Sequence, residues 1–213
     1  QLEIKCDRPV IFISIPHGTI PLASALSPLV SPDIFGTAAV GTVASVLFYI
    51  PFIRNLVHWY GARSVSKSSI AALLNKEHRH VGLVCDGIRG MFARSIETEC
   101  VVLKHRKGVA KLALSTGAHV VPTYGFGNTQ VYQPVFDKFG IMKWLSRQLR
   151  MSLILFYGRW YFLPMVPKRI PLYFVIGNVV YNKHCYSPMK KPTQKQIDEY
   201  HELILKETKA VFD

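Results

Sequence analysis

Apolar residues in this chain gather into short runs, each ending at turn-forming residues. Val10–Ile15 is largely apolar and closes on Pro16-His17-Gly18. Val81–Cys85 ends at Asp86-Gly87, His119–Tyr124 is a third run, and Leu172–Ile176 stops at Gly177. Between the runs the spacing is helical. Ser69–Asn75 predicts a short helix, and Lys104–Thr116 a longer one with Gly117 as its C′ glycine. Thr193–Phe212 opens with Pro192 and a Thr193-x-x-Gln196 capping box. Apolar strands alternating with helices predict an α/β domain with a mostly parallel central sheet buried between flanking helices. Gly125-Phe126-Gly127 reads as a turn at a strand end.

Two segments have a membrane-related pattern. Ile34–Ile53 runs without a charge between Asp33 and Arg54, and about twenty apolar residues can span a bilayer. Gly36, Thr37, Gly41, Thr42, Ser45 and Pro51 dilute it, so it reads as a buried strand followed by a helix dipping into an interface. In Lys138–Leu155, Ile141, Leu145, Leu149 and Leu153 recur every four residues. Lys143, Arg147 and Arg150 mark another face, and Trp144 adds an interfacial aromatic. That is the pattern of a basic amphipathic helix lying on a membrane, or of a surface helix packed on its own core.

Composition narrows the picture. The 213 residues suit one domain, 1–213, with a sizeable core. Apolar residues are 49% and charged residues 18%, which excludes a disordered chain. Mean hydropathy is +0.19. The net charge is +13, and it is uneven: residues 1–100 hold nine Lys/Arg against seven Asp/Glu, residues 101–213 seventeen against six. A basic second half suggests phosphate groups on nucleic acid, lipid or cofactor. No recognised nucleic-acid motif accompanies it, and the basic residues sit beside long apolar runs. Cys6, Cys85, Cys100 and Cys185 show no Cys-x-x-Cys pair. They read as buried free thiols in a reducing compartment, with no metal site. The chain begins at Gln1 without a signal-peptide pattern; it reads as a fragment of a longer chain, lacking any membrane anchor that lies N-terminal to it.

Three clusters carry candidate chemistry. His17 follows the first strand, where active residues of open α/β sheets tend to lie. Pro16 stiffens the turn and Gly18 lets a substrate approach the backbone. A histidine there can take a proton from a hydroxyl near neutral pH, or it can be a hydrogen-bonded turn residue. Asp86-Gly87-Ile88-Arg89 follows another strand. Arg89 either pairs with Asp86 or grips a phosphate or carboxylate in bidentate fashion. Lys104-His105-Arg106-Lys107-Gly108 opens a helix, where cations oppose the macrodipole unless an anion binds. A solvated basic surface is the alternative. Ser64-x-x-Lys67 matches a β-lactamase-like pattern, but no Lys-Thr-Gly follows.

Taken together, these motifs resemble the diacylglycerol acyltransferase type 2 family of mono/diacylglycerol and wax-alcohol acyltransferases. The likeness runs from Val10 to Phe212. Ile15-Pro16-His17-Gly18 resembles the family's His-Pro-His-Gly. His105-Arg106-Lys107-Gly108 through Leu114, then Gly117-Ala118 and Val121–Gly127, resemble its long Arg-Lys-Gly block. Ser64-Val65-Ser66-Lys67 and Pro167-Lys168-Arg169-Ile170-Pro171 resemble its Ser-Val-Ser-Arg and Pro-x-Arg-x-Pro. Three positions depart. Ile15 stands where the family has its first histidine, Gly90 where it has a glutamate, and Leu22 where the wider superfamily has an aspartate five residues after the histidine. Asp86-Gly87-Ile88-Arg89 is also similar to the Glu-Gly-Thr-Arg block of glycerol-phosphate and lysophospholipid acyltransferases.

The resemblance implies a glycerolipid acyltransferase-like fold and an acyl-CoA-dependent O-acyltransferase with no tightly bound cofactor and no metal. His17 is the implied general base. Pro16, Gly18, Lys67, Asp86, Gly87 and Arg89 are implied on the substrate side, with Arg106, Lys107 and Gly108 at the cofactor phosphates. The stretches Ile34–Ile53 and Met151–Pro164 are expected to line the acyl channel or touch lipid. Diacylglycerol is the first expectation for the acceptor. Monoacylglycerol, wax alcohol or lysophospholipid acceptors, a hydrolase, and an impaired lipid-binding relative are the alternatives. Expected partners are acyl-CoA, a lipid alcohol and a membrane surface, not nucleic acid. The endoplasmic reticulum membrane or a lipid-droplet surface is the expected location, and homo-oligomerisation is left open.

Overall fold

The computed structural model describes residues 8–30, 39–87, 101–135, 137, 139–149, 154–163 and 165–212. Strand β1 (Val10–Ile15) is followed by helix α1 (Leu22–Val30), β2 (Val40–Val43), a 3-10 turn (Ser45–Tyr49) and α2 (Ile53–Trp59). Then come β3 (Arg63–Ser64), α3 (Lys67–Asn75), β4 (Val81–Val84), α4 (Gly108–Thr116) and β5 (His119–Phe126). The chain continues through α5 (Asn128–Val131), β6 (Gln133–Pro134), α6 (Ile141–Leu149), β7 (Phe156–Tyr157), β8 (Tyr173–Ile176) and α7 (Gln194–Phe212). The central sheet has the order β3-β2-β4-β1-β5-β8, with β6 and β7 forming a separate ribbon. All central pairings are parallel except β5 with β8. The expected α/β architecture with a mostly parallel sheet is the one observed.

Strand alternation divides the core in two. Ile11, Ile13, Val81 and Val120 point to one face, where Leu73, Ala110, Ala113, Leu114 and Ile204 pack from α3, α4 and α7. Val10, Phe12, Ala39 and Val121 point to the other, with Phe174 and Ile176 beside them. Over that second face lies α1. It can sit close because Gly125 has no side chain: a Cβ there would lie 2.7 Å from the Ala23 Cβ. Gly125 and Phe126 therefore belong to β5, and the turn expected of Gly125–Gly127 is made by Gly127 alone, at φ +82°.

Several boundaries follow the sequence pattern. The capping box forms: the Gln196 side chain accepts the Thr193 N–H at 2.9 Å, and Thr193 Oγ1 accepts the Gln196 N–H at 3.4 Å. Gly117 ends α4 in the left-handed region. Helix α4 begins at Gly108, not Lys104. The cations of Lys104–Lys107 would oppose its macrodipole, and they occupy a turn in which Arg106 N–H bonds to the Leu103 carbonyl. Cys85 and Cys185 are free; Cys6 and Cys100 lie outside the described residues.

Two imidazoles serve as backbone acceptors. His80 Nδ1 accepts the Val10 N–H and His119 Nδ1 accepts the Asn182 N–H, both at 3.0 Å. Burial lowers both pKa values, with Arg8 adding to the effect at His119. The folded state therefore resists protonation that the unfolded chain accepts near pH 6.5. This contribution to stability is complete above the unfolded value and is lost as pH falls from there toward the folded values. Thermal unfolding is expected at lower temperature at pH 5 than at pH 7. In the double variant His80→Asn/His119→Asn, whose amide oxygens keep both acceptors, that pH slope should flatten; an unchanged slope would show that other groups set it.

Candidate active site

The site is built at the carboxyl end of β1, the strand flanked by β4 and β5. His17 lies two residues beyond it, after a cis Ile15–Pro16 peptide, and is partly exposed. Its backbone N–H donates to Asp86 Oδ2 at 2.9 Å. Asp86 follows β4, in parallel register beside β1, so the two strand ends bring the residues together. The His17 ring nitrogen Nδ1 lies 3.0 Å from the Gly18 carbonyl. A carbonyl only accepts, so Nδ1 carries the hydrogen in the neutral ring and Nε2 keeps its lone pair. Among the described residues Nε2 has no hydrogen-bond partner.

Asp86 is 1% exposed, and its Oδ1 has no hydrogen-bond partner among the described residues. Burial pushes the carboxyl above its ordinary range; the His17 N–H and the charge of its ring pull the other way. The neighbouring Cys85 thiol is pushed up to about 12, first by burial and then by Asp86. It therefore stays protonated and is a poor nucleophile.

Asn128, which opens α5 two residues after β5, belongs to none of the sequence motifs. It is 2% exposed. Its Nδ2 donates to the carbonyls of Pro16 (3.3 Å) and His17 (3.0 Å), and its Oδ1 accepts the Ala23 N–H at 3.1 Å. One side chain thus ties the histidine loop to the start of α1. The signal available was a polar residue after Gly127 at the end of an apolar strand. Asn128 also revises the role of Gly18. A Cβ on Gly18 would meet Asn128 Nδ2 at 2.8 Å, and its φ is +60°. Gly18 is buried, and its missing side chain leaves room for Asn128. Pro16 is buried as well.

The other expected residues divide. Arg106 joins the site: its Nη2 donates to the Asp86 carbonyl at 3.2 Å, and its guanidinium covers Gly87. Lys107 turns to α7 and pairs with Asp198 at 2.8 Å. His201, also on α7, holds the Lys104 carbonyl at 3.0 Å. The basic turn is thus anchored, with Lys104 and His105 exposed and Gly108 opening α4. Lys67 is exposed beyond β3. Three strand steps separate β3 from β1, about 14 Å at the usual spacing, so Lys67 is not brought to His17. Arg89 and Gly90 lie outside the described residues.

The family model for diacylglycerol acyltransferase matches residues 1–213. This chain belongs to the diacylglycerol acyltransferase family. It is 29% identical to the bovine (Bos taurus) diacylglycerol O-acyltransferase 2-like protein 6, over 95% of this chain and 65% of that protein. It is 30% identical to diacylglycerol O-acyltransferase 2 of Danio rerio, over 97% of this chain and 61% of that protein. It is 31% identical to human (Homo sapiens) acyl-CoA wax alcohol acyltransferase 1, over 79% and 53%. The chain thus spans between half and two thirds of the length of these curated relatives. No solved structure matches it.

Two outcomes test this geometry. Asp86→Asn keeps an oxygen for the His17 N–H and removes a buried charge. The raised folded pKa means that the carboxyl penalises folding only above its unfolded value near pH 3.9. The variant is expected to unfold at a temperature no lower than the parent at pH 7, with its advantage shrinking as pH falls toward 4. Asn128→Ala leaves two carbonyls and one N–H without their partner, and is expected to destabilise the fold by about 2–3 kcal/mol in denaturant titration.

Proposed function

We propose that this chain carries the chemistry of an acyl-CoA-dependent O-acyltransferase, with His17 as general base and diacylglycerol as acceptor. The observation that carries the reading is the state of His17. Its backbone is held by Asp86 and Asn128, and its Nδ1 is engaged by Gly18, which leaves Nε2 as the basic nitrogen. Nε2 takes the proton of the lipid hydroxyl as its oxygen attacks the thioester carbonyl of acyl-CoA. The tetrahedral intermediate collapses, the C–S bond breaks, and the thiolate of coenzyme A leaves and takes up the proton. An ester forms with no acyl-enzyme, consistent with the inert Cys85. The exposed Lys104 and His105, with the start of α4, face the cofactor's phosphates in this reading. Family membership supports the reaction class, and the relatives' names support acceptors from diacylglycerol to wax alcohol.

We place the reaction at a membrane surface, that of the endoplasmic reticulum or a lipid droplet, because a diacylglycerol resides in lipid. Two exposed apolar patches support contact with that surface. Ile141, Trp144 and Leu145 are exposed on α6 instead of packing on the core, beside exposed Lys143. Tyr161, Phe162 and Leu163 are exposed in the loop after β7. No helix among the described residues is long and apolar enough to cross a membrane.

The test uses detergent-solubilised full-length protein with radiolabelled oleoyl-CoA, offered diacylglycerol, monoacylglycerol, fatty alcohol and lysophospholipid in parallel. Labelled triacylglycerol is expected, with a loss of about 10²–10⁴-fold in His17→Ala. Label in a different lipid reassigns the acceptor. Binding of acyl-CoA without label in any lipid overturns the reaction in favour of a lipid-binding relative.

A further inference from the structure

A cavity of about 90 Å³ lies against the second face of the sheet, beneath α1. Its floor is a consequence of register. Gly41 on β2 pairs with Gly82 on β4, and Gly82 with Phe12 on β1. Two adjacent glycines leave a trough where a parallel sheet normally presents branched side chains. Gly41 has a structural reason to be glycine, because a Cβ there would meet the Tyr60 ring at 3.0 Å. Gly82 has none of that kind. A Cβ there would find only the Val40 carbonyl at 3.8 Å and the Gly41 Cα at 3.9 Å. Glycine weakens a strand, and in its interior it often marks a place where a ligand approaches.

The lining specifies what fits. Among the described residues no charged side chain lines it. Six hydroxyls do, and each is hydrogen-bonded within the protein. Ser14 is bonded to Ser24, Thr123 to the Ile13 carbonyl and Ser14, Ser27 to the Ser24 carbonyl. Thr42 donates to the Gly82 carbonyl at 2.7 Å and Tyr60 to the Ala25 carbonyl at 2.6 Å. With these groups satisfied, an apolar guest leaves no buried polar atom unpaired. At one end its lining includes Tyr60, which is 36% exposed, next to the exposed Leu56 and Trp59 of α2. At its other end stand Ser14 and Val84, register partners on β1 and β4, the strands whose following residues include His17 and Asp86. Ser14 precedes His17 by three residues, on the order of 10 Å of extended chain.

We propose that this cavity binds the distal part of an unbranched alkyl chain that enters beside Ser14 and Val84, with Gly82 setting its depth. This rests on the acyltransferase reading, because the chain is one carried by a substrate reacting at His17. Its volume matches about three water molecules at their share of liquid volume, so it holds a short segment of the chain and discriminates by length. Both acyl-CoA and the lipid acceptor carry such chains.

The test has two arms on the full-length protein. Palmitoyl-CoA and a diacylglycerol, each with a terminal diazirine, are photo-crosslinked separately and the labelled peptides mapped by mass spectrometry. Label on residues 39–43 or 82–84 from one probe is expected, and the probe identifies whose chain enters. Gly82→Val, which the backbone accommodates, should then lower kcat/KM for long chains relative to short ones of that substrate by roughly tenfold. The crosslink should persist in His17→Ala. A crosslink in protein that turns nothing over upholds the cavity and overturns the reaction. No label there from either probe, or an unchanged chain-length profile in Gly82→Val, overturns the cavity assignment whatever the activity.

Discussion

A carboxylate with almost no access to water accepts the backbone N–H of His17, and the site depends on that contact. Asp86 is held there against a desolvation penalty large enough to push its pKa up. The loop after β1 could be fixed in cheaper ways, since an amide accepts an N–H as well as a carboxylate does. What distinguishes a carboxylate from an amide is its negative charge, which the charge of the His17 ring favours. Leu22, five residues after the histidine, offers no carboxylate of its own. In this fold a carboxylate reaches the histidine loop from the neighbouring strand.

Around that contact the packing is arranged to leave the loop few alternatives. Asn128 bonds to two successive loop carbonyls and to the first turn of α1, and Gly18 presses against it. Arg106 bonds to the carbonyl of Asp86, so the basic turn and the carboxylate turn are one unit. Helix α7 secures that turn from behind through Asp198 and His201. Coupling of this kind explains why residues far apart in sequence act on one imidazole: each holds the backbone of the next.

The two sheet faces divide the work. One carries the larger core and three helices, and it supplies rigidity. The other is covered by α1 and retains the cavity floored by Gly41 and Gly82. Of the two apolar stretches expected to line the acyl channel or touch lipid, the first lends Ala39, Gly41, Thr42 and Val43 to that cavity, and residues 155 and 160–163 of the second are exposed. Their apolar character belongs to the surface.

The strands, the helix stops, the mostly parallel sheet and the family were legible in the sequence, because they follow from local pattern. Apolar runs need burial on both sides, Gly117 needs its left-handed φ, and Thr193 and Gln196 cap each other across one turn. His17 was legible for the same reason, as a histidine in a turn at a strand end. The partners were not. Local pattern points Asp86 toward Arg89 and says nothing of the His17 N–H, it carries no sign of the Asp198 that pairs with Lys107, and Asn128 belongs to no motif. Which strand lies beside β1 is decided by crossover connections and by burial summed over the domain, and neither leaves a mark at a single residue. Sequence therefore fixed what each turn can do chemically, while the sheet order decided which turns meet.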